Sequence, residues 1–438
     1  MGSSPVDERV EFLSDDWIAQ AQQLLDLRSK QWAIDLGSQA FTISERYVNA
    51  PPHLGFPDNV ASCTICFRSD GVSVAHGVAD DADMVVEGDY QVALPVAQAI
   101  GPVSVDRSLR QQRHLFGDRV PTPKGLTPTG RVAELCDELH DYMGRRTVEN
   151  PDLQHRLAAQ GLTKRAEELA ENGYTILENA ITNSFADELR ECAIDEMMSH
   201  NREMSPSGRY NSMGLLTRGR PFEEISQHPT LRSVMETALG PGMIFQTISC
   251  AMKGPGPGAV APHVDYSYVP EPYPEFALVG VAVWALDDWT EESGPTVILP
   301  GSHRHRRWPR PSDSLEGGVP VVMPKGSVVF FSHGVWHWQG DRTAPGYRVT
   351  LHNGYQRPFM RPTDDYSDVD AVLHRNSPVM SVLTGKDDVF EKSNYCGHDL
   401  ERGLYMDRLV KAAEEQNAYD GYQMAVDKRT GKKAEPAI

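Results

Sequence analysis

Cysteine is scarce in this chain, six in 438 residues, too few for the disulfide framework that holds small secreted folds together. Long apolar runs are lacking too, and none approaches the roughly 20 residues that cross a bilayer. Positive charge is in deficit: 42 Lys and Arg stand against 61 Asp and Glu, for a formal net charge of −19. That balance argues against nucleic acid or an anionic membrane as a general partner, while a local basic pocket stays compatible with it. The opening "MGSSPVDERV" lacks the basic-then-apolar order of a secretory signal. Val6 stands where an N-myristoylation motif wants Ser or Thr, and the final "EPAI" is not a peroxisomal address. By elimination the expectation is a cytoplasmic protein with no membrane insertion. No internal repeat and no low-complexity stretch is present.

What is present is the composition of an ordinary globular protein, 40% hydrophobic and 24% charged, and long enough for two or three cores. Residues 11–105 read as a small α+β unit. It opens with a helical "EFLSDDWIAQAQQLLDL", for which Ser14 or Asp15 is the N-cap. Strands "FTISERYV", "ASCTICF" and "GVSVAHG" follow, the last two joined around Asp70-Gly71, a strong hairpin signal. "ADMVVEG" and a helical "DYQVALPVAQAI" close the unit. The Cys63/Cys66 pair in "CTIC" lies on alternating strand sequence, where positions three apart face opposite sides, so a shared zinc is not expected. "VPTPKGLTPTG", 120–130, holds three prolines, two glycines and three threonines and reads as a linker. It divides an N-terminal domain, 1–119, from a C-terminal one, 131–438.

Helical stretches are expected around 131–143 and 152–172, then a strand in "ENGYTILENAI". A helix in "TNSFADELRECAIDEMMS" follows, capped by Asn183, with Phe185, Leu189, Cys192, Ala193 and Met197 as its apolar stripe. From about 240 the texture changes. Short strands ("MIFQTISCAM", "LVGVAVWAL", "TVILP", "VPVVMP", "SVVFFS", "YRVTLHNGY") alternate with Gly/Pro turns, the pattern of a sandwich or barrel. "GLYMDRLVKAAEEQ" near the C-terminus reads as a surface helix.

The stretch "PHVDYSYVP", 262–270, carries chemistry. A strand throws residues i and i+2 to one face, so His263 and Asp265 converge. Two histidines and one carboxylate on one face of an ion, with the other positions open, is the binding mode of non-haem Fe(II) in oxygenases. The segment "GSVVFFSHGVWHWQGDRTAPGYR" offers His333 and His337 as the third ligand, and Arg348 beyond them as a bidentate fork for a carboxylate.

Four segments, "GRYNSMGLLTRGRPFEEISQHPTL", "HVDYSY", "VWALDDWTEESGPTVILPGSHR" and "PKGSVVFFSHGVWHWQGDRTAPGYR", resemble the phytanoyl-CoA dioxygenase family of Fe(II)/2-oxoglutarate oxygenases over about 165–360. The resemblance implies an α+β protein whose C-terminal core is a double-stranded β-helix, or jelly roll, flanked by helices. Carried over by position, it implies His263, Asp265 and His337 as iron ligands. The family pattern Gly-x-x-His after the double-Phe strand selects His337 over His333. Arg348 matches the arginine that grips the distal carboxylate of 2-oxoglutarate. Where the family often has a polar residue before "WALDD", this chain has Gly280 and Ala282 in "LVGVAVWAL". That departure bears on the co-substrate pocket. Related halogenases leave the carboxylate position empty for chloride, so Asp265 favours oxygen insertion. The implied reaction consumes 2-oxoglutarate and O2, releases succinate and CO2, and hydroxylates an unactivated C–H of a hydrophobic, acyl-, steroid- or secondary-metabolite-type small molecule. Desaturation, epimerisation or cyclisation by the same chemistry, or a non-catalytic lipid-binding protein, are the alternatives, and homo-oligomer formation is left open.

Four arginines and two histidines in "GSHRHRRWPR" read as a solvated basic loop, against a phosphate- or carboxylate-binding alternative. Tyr266, Tyr268, Tyr273 and Phe276 beside the HxD either wall an apolar substrate or pack the loop. Trp336 and Trp338 read as packing residues. Asp287, Asp288, Glu291 and Glu292 lack EF-hand spacing and read as a solvated turn. The segment "GVSVAHGVADDADMVVEGDYQVALPVAQ" makes the N-terminal part similar to sterol-carrier-protein-type lipid-binding domains, which implies an apolar tunnel.

Overall fold

The computed structural model describes residues 10–36, 40–148, 152–199, 209–266, 268–332, 334–376 and 379–386. His333 and the helix expected at 403–416 lie outside the described residues. The chain divides into two compact units between Gly161 and Leu162, later than the expected boundary.

The first unit contains β1 (Val10–Glu11), α1 (Asp15–Leu36), β2 (Phe41–Val48), β3 (Ala61–Arg68), β4 (Gly71–His76), β5 (Met84–Asp89) and α2 (Tyr90–Ala97). It continues through α3 (Pro102–Phe116), β6 (Thr122–Gly125), α4 (Gly130–Gly144), β7 (Thr147–Val148) and α5 (Leu153–Ala159). Ser14 caps α1, its hydroxyl accepting the Trp17 N–H at 3.2 Å. β3 alternates as its sequence does, with Cys63 buried and Cys66 only half-buried. The sheet runs β4-β3-β2-β5-β6, with β2 and β5 parallel. Its fifth strand comes from the segment expected to be a linker: Thr122–Gly125 pairs with β5, so 120–130 belongs to the N-terminal unit. Apolar side chains of α1, α4 and the sheet, among them Trp17, Leu25, Ile43, Phe67 and Leu135, form its core.

The second unit begins with α6 (Thr163–Asn172), β8 (Tyr174–Leu177), α7 (Asn183–Ser199), β9 (Arg209–Met213), α8 (Arg220–Ser226) and α9 (Pro229–Leu239). Thr182, rather than Asn183, caps α7 by accepting the Phe185 N–H at 3.2 Å. Then come β10 (Ile244–Lys253), β11 (Val279–Ala285), β12 (Thr296–Ile298), β13 (Val319–Pro320), β14 (Val328–Ser332), β15 (His337–Gln339) and β16 (Arg348–Gln356). α10 (Asp370–Arg375) and α11 (Val379–Leu383) follow. A six-stranded antiparallel sheet, β8-β14-β11-β16-β10-β9, faces a three-stranded one, β13-β12-β15. Val283, Ala285, Val329 and Phe331 of the large sheet bury against Ile298, Val321 and Met323 of the smaller one, the two-layer core of a β-sandwich.

Strand parity sorts the large sheet. Outward-facing residues meet helices: a Cβ on Gly280 would lie 2.7 Å from Met235 Sδ of α9, and Asn353 donates to Ser226 of α8 at 2.9 Å. Gly280 and Ala282 therefore do not line the inner face. The departure from the family pattern at Gly280 and Ala282 thus falls on the helix-packed face; Val281, Val283 and Ala285 occupy the inner positions of β11.

Candidate metal site and its basic neighbours

His263 lies outside any long strand, but it makes a two-way bridge with His337 at the start of β15: each backbone N–H donates to the other's carbonyl, at 3.0 and 3.1 Å. The bridge sets the two rings side by side, centroids 4.1 Å apart. Val264 turns inward and is fully buried, leaving its neighbours 263 and 265 on the other side. The result is a cluster of His263, Asp265 and His337 whose ligand atoms all lie within 4.8 Å of one another. Nε2 of His263 and of His337 stand 3.6 and 3.7 Å from the same Asp265 oxygen.

Both rings are oriented the same way. Nδ1 of His263 lies 2.9 Å from the Ala261 carbonyl, and Nδ1 of His337 lies 3.1 Å from the Val335 carbonyl. A carbonyl only accepts, so each Nδ1 carries the hydrogen and each Nε2 presents a lone pair. Backbone carbonyls thus fix tautomer and rotation, as outer partners of metal-binding histidines do. Burial, followed by the adjacent His337, holds His263 below the ordinary histidine range and favours the neutral ring a metal requires. Phe331 packs on His337, centroids 4.7 Å apart, tying the site to the inner face of the large sheet.

On that face, β16 presents Arg348, Thr350 and His352 at alternate positions, with Lys253, Ala251 and Ser249 of β10 opposite them. Arg348 is 5% exposed, and its Nε and Nη1 have no hydrogen-bond acceptor. Its guanidinium lies over the Trp289 ring at 4.5 Å. Asp287, the nearby acid, is engaged elsewhere, accepting from the Val349 N–H and from Arg190. Burial first, then Arg342 and Arg209, push Arg348 down to about 9. His352 is pushed down to about 3 by burial, then by Arg209, Arg348 and His337, which places it between the basic end of the sheet and the metal-site histidine.

Other expectations sort cleanly. The arginines of 301–310 are structural: Arg307 makes a two-pronged ion pair with Asp313, Arg306 binds the Tyr273 carbonyl, and Arg310 pairs with Glu271. Tyr266 and Tyr273 are buried packing residues, whereas Tyr268 and Phe276 are exposed. Trp336 is buried, its indole N–H donating to the Arg307 carbonyl. Asp287 and Asp288 are not simply solvated, for Asp288 accepts the Lys325 N–H at 2.8 Å. Lys253, Trp289 and His352 drew no attention in the sequence. Their signals were there: a lone cation ending the apolar "MIFQTISCAMK", and a histidine sharing the parity of Arg348 in "YRVTLHNGY".

The family model for phytanoyl-CoA dioxygenase (PhyH) matches residues 124–350, 227 of the 438 residues. The chain belongs to the phytanoyl-CoA dioxygenase family. Dioxygenase af480 of Aspergillus fumigatus is 30% identical over 149 residues, 33% of this chain and 48% of that protein. The match thus spans about half the length of that relative. Dioxygenase aneA of Aspergillus aculeatus is 23% identical over 56% of this chain and 87% of its own length. The crystal structure of the alpha ketoglutarate dependent carbocyclase SnoK from nogalamycin biosynthesis covers 47% of this chain and 93% of its own, at 16% identity and a TM-score of 0.39.

The group this family implies is Fe(II) with 2-oxoglutarate and O2, and the residues fit it. Two neutral imidazoles and a carboxylate make an N,N,O donor set. Metal–donor bonds of roughly 2.1 Å put adjacent donors roughly 3 Å apart, so the Asp265 spacings are close to those of a loaded site. The orphaned N–H groups of Arg348 supply what a dicarboxylate's far end needs.

Proposed function

We infer that this protein is an Fe(II)- and 2-oxoglutarate-dependent oxygenase acting on a hydrophobic small molecule, with hydroxylation of an unactivated C–H as its outcome. The observation that carries the reading is the convergence of His263, Asp265 and His337 within 4.8 Å beside a sheet face bearing a buried arginine with unsatisfied donors. Ferrous ion, with the keto acid and O2 as co-substrates, supplies the oxidising power, and succinate and CO2 leave.

The chain's own contribution is placement. His263 and His337 hold their lone pairs toward Asp265 because Ala261 and Val335 take the opposite N–H. Arg348 is the anchor for the distal carboxylate, its plane fixed by Trp289. Val281, Val283 and Phe331 give the inner face an apolar half that keeps water from the reacting carbon. Exposed Tyr268 and Phe276 lie on the segment following the HxD, and aromatic residues there suit an apolar substrate.

The test is succinate release that requires Fe(II), O2 and 2-oxoglutarate together. His337→Ala must abolish it, and full turnover in that variant sinks the reading. Mass spectrometry of cell extracts, searched for gains of one oxygen against losses of two hydrogens, separates hydroxylation from desaturation or ring closure. The sterol-carrier likeness of the N-terminal unit is carried by the segment 71–98. Displacement of a fluorescent fatty acid from the full chain by sterols or acyl chains tests it.

A further inference from the structure

Four tryptophans are buried among the described residues: Trp17, Trp284, Trp289 and Trp336. An indole N–H taken out of water needs an acceptor, and three of the four have one. Trp17 donates to the Thr147 hydroxyl at 2.8 Å, Trp284 to the Asn353 side-chain oxygen at 3.0 Å and Trp336 to the Arg307 carbonyl at 2.9 Å. Trp289 is 1% exposed and its Nε1 has no acceptor. Leaving such a donor unmatched costs about 1–3 kcal/mol, so the exception calls for a cause.

Poor anchoring is not the cause. The Trp289 backbone is bridged to Met323 in both directions, at 2.9 and 3.1 Å, and its ring packs among Val283, Ile298, Val329 and Phe331 inside the sandwich. What distinguishes Trp289 is its neighbour. The Arg348 guanidinium lies 4.5 Å from the centre of its ring, with Nε and Nη1 equally unmatched. Three donors without acceptors thus sit on two side chains in contact. The nearby oxygens are engaged by other donors: Asp287 by Arg190 and the Val349 N–H, Asp288 by the Lys325 N–H, and the Ser293 carbonyl by Arg342. A carboxylate brings two oxygens and about four lone-pair sites, enough for all three donors. An indole donates in the plane of its ring and stacks through its face, so Trp289 can hold Arg348 and donate past its own edge at once.

We propose that Trp289 is a second binding residue for the distal carboxylate of the keto acid, its indole N–H taking one oxygen while Arg348 takes the other. This rests on the functional reading above, which places that carboxylate at Arg348. Held at both oxygens, the carboxylate cannot turn, and the chain of the keto acid is fixed in rotation.

The test is anaerobic calorimetry with Mn²⁺, comparing 2-oxoglutarate with 2-oxopentanoate, the same keto acid without its far carboxylate. Trp289→Phe keeps an aromatic face under Arg348 and removes the N–H. Loss of one charge-assisted hydrogen bond predicts 2-oxoglutarate binding weakened by about 10- to 100-fold, with 2-oxopentanoate binding unchanged. Replacing Trp289 with 3-benzothienylalanine, which has sulfur in place of the N–H and keeps the ring's volume, gives the same selective loss without a cavity and serves should Trp289→Phe not fold. With Zn²⁺ in place of Mn²⁺, the Trp289 indole proton resonance moves downfield on adding 2-oxoglutarate and stays in place with 2-oxopentanoate. Wild-type affinity for 2-oxoglutarate in the benzothienyl variant, equal loss for both keto acids, or an indole resonance that 2-oxoglutarate leaves unmoved overturns the inference. Wild-type protein that binds the two keto acids alike overturns the placement of the carboxylate at Arg348, a result distinct from a wild type that prefers 2-oxoglutarate and variants that match it.

Discussion

Arg348→Met is expected to make the ligand-free protein more stable while removing its response to 2-oxoglutarate. The guanidinium is buried with Nε and Nη1 lacking acceptors, and each orphaned donor costs about 1–3 kcal/mol. Methionine removes both and keeps most of the buried length. It forfeits the stacking on Trp289, worth about 0.5–2 kcal/mol. The net expectation is a gain of about 1–3 kcal/mol in the absence of ligand. For a unit of about 220 residues each kcal/mol moves the melting temperature by about 2–4 °C, so its transition rises by about 2–12 °C. A ligand at 100 times its dissociation constant adds about 2.7 kcal/mol to the wild type and should add nothing to the variant. Differential scanning calorimetry with Mn²⁺, with and without 2-oxoglutarate, reads both arms. A variant less stable than wild type without ligand, or one that keeps the ligand shift, refutes the argument that Arg348 waits for an anion.

Three further outcomes follow from the same geometry. Asp265→Ala and His337→Ala should each lose the Mn²⁺-dependent rise in melting temperature, since either removes one of three donors; a retained shift in both places the metal elsewhere. His352 is pushed down to about 3 but titrates near 6.5 unfolded, so its contribution is complete above 6.5 and erodes as pH falls from 6.5 toward 3. The slope is at most about 1.4 kcal/mol per pH unit, and less for a half-buried ring; His352→Asn should flatten the fall in denaturation midpoint between pH 7 and 5, and an unchanged slope counts against the assignment. Gly280→Ala drives a methyl to within 2.7 Å of Met235 Sδ and should cost about 1–3 kcal/mol by overpacking, while keto-acid affinity, read by calorimetry, stays at the wild-type value because the residue faces away from the pocket.

Much of this was legible because it depends on periodicity or on a residue's own chemistry. Alternation in "ASCTICF" placed Cys63 inside and Cys66 opposite, and Ser14 caps α1 as its hydroxyl allows. His263 and Asp265 converge as the two-residue spacing requires, although the segment is held by a single bridge to His337 and not by a strand. What escaped depends on partners remote in sequence. Pro and Gly in 120–130 read as a break, yet an edge strand tolerates proline where its N–H faces away from the ladder, and Thr122–Gly125 completes a sheet. Gly280 and Ala282 looked relevant to the pocket until the register with β14 and β16 showed which side they face. Trp289 gains meaning only from lying against Arg348, nearly sixty residues away.

The two halves of the inner face divide the work by the same parity that hides it from the sequence. On β11 and β14 the inward positions include Val281, Val283, Ala285, Val329 and Phe331, and on β10 and β16 they include Ser249, Ala251, Lys253, Arg348, Thr350 and His352. An apolar half beside a cationic half is not optimal for folding alone, because the buried Arg348 leaves its Nε and Nη1 donors unmatched. On the proposed reading, a ligand brings an anion to Arg348 near the metal-binding cluster, which abuts the apolar half through Phe331 and His337. On that reading, stability given up at Arg348 is recovered when an anionic co-substrate binds, and that recovery favours a keto acid with a second carboxylate over one without.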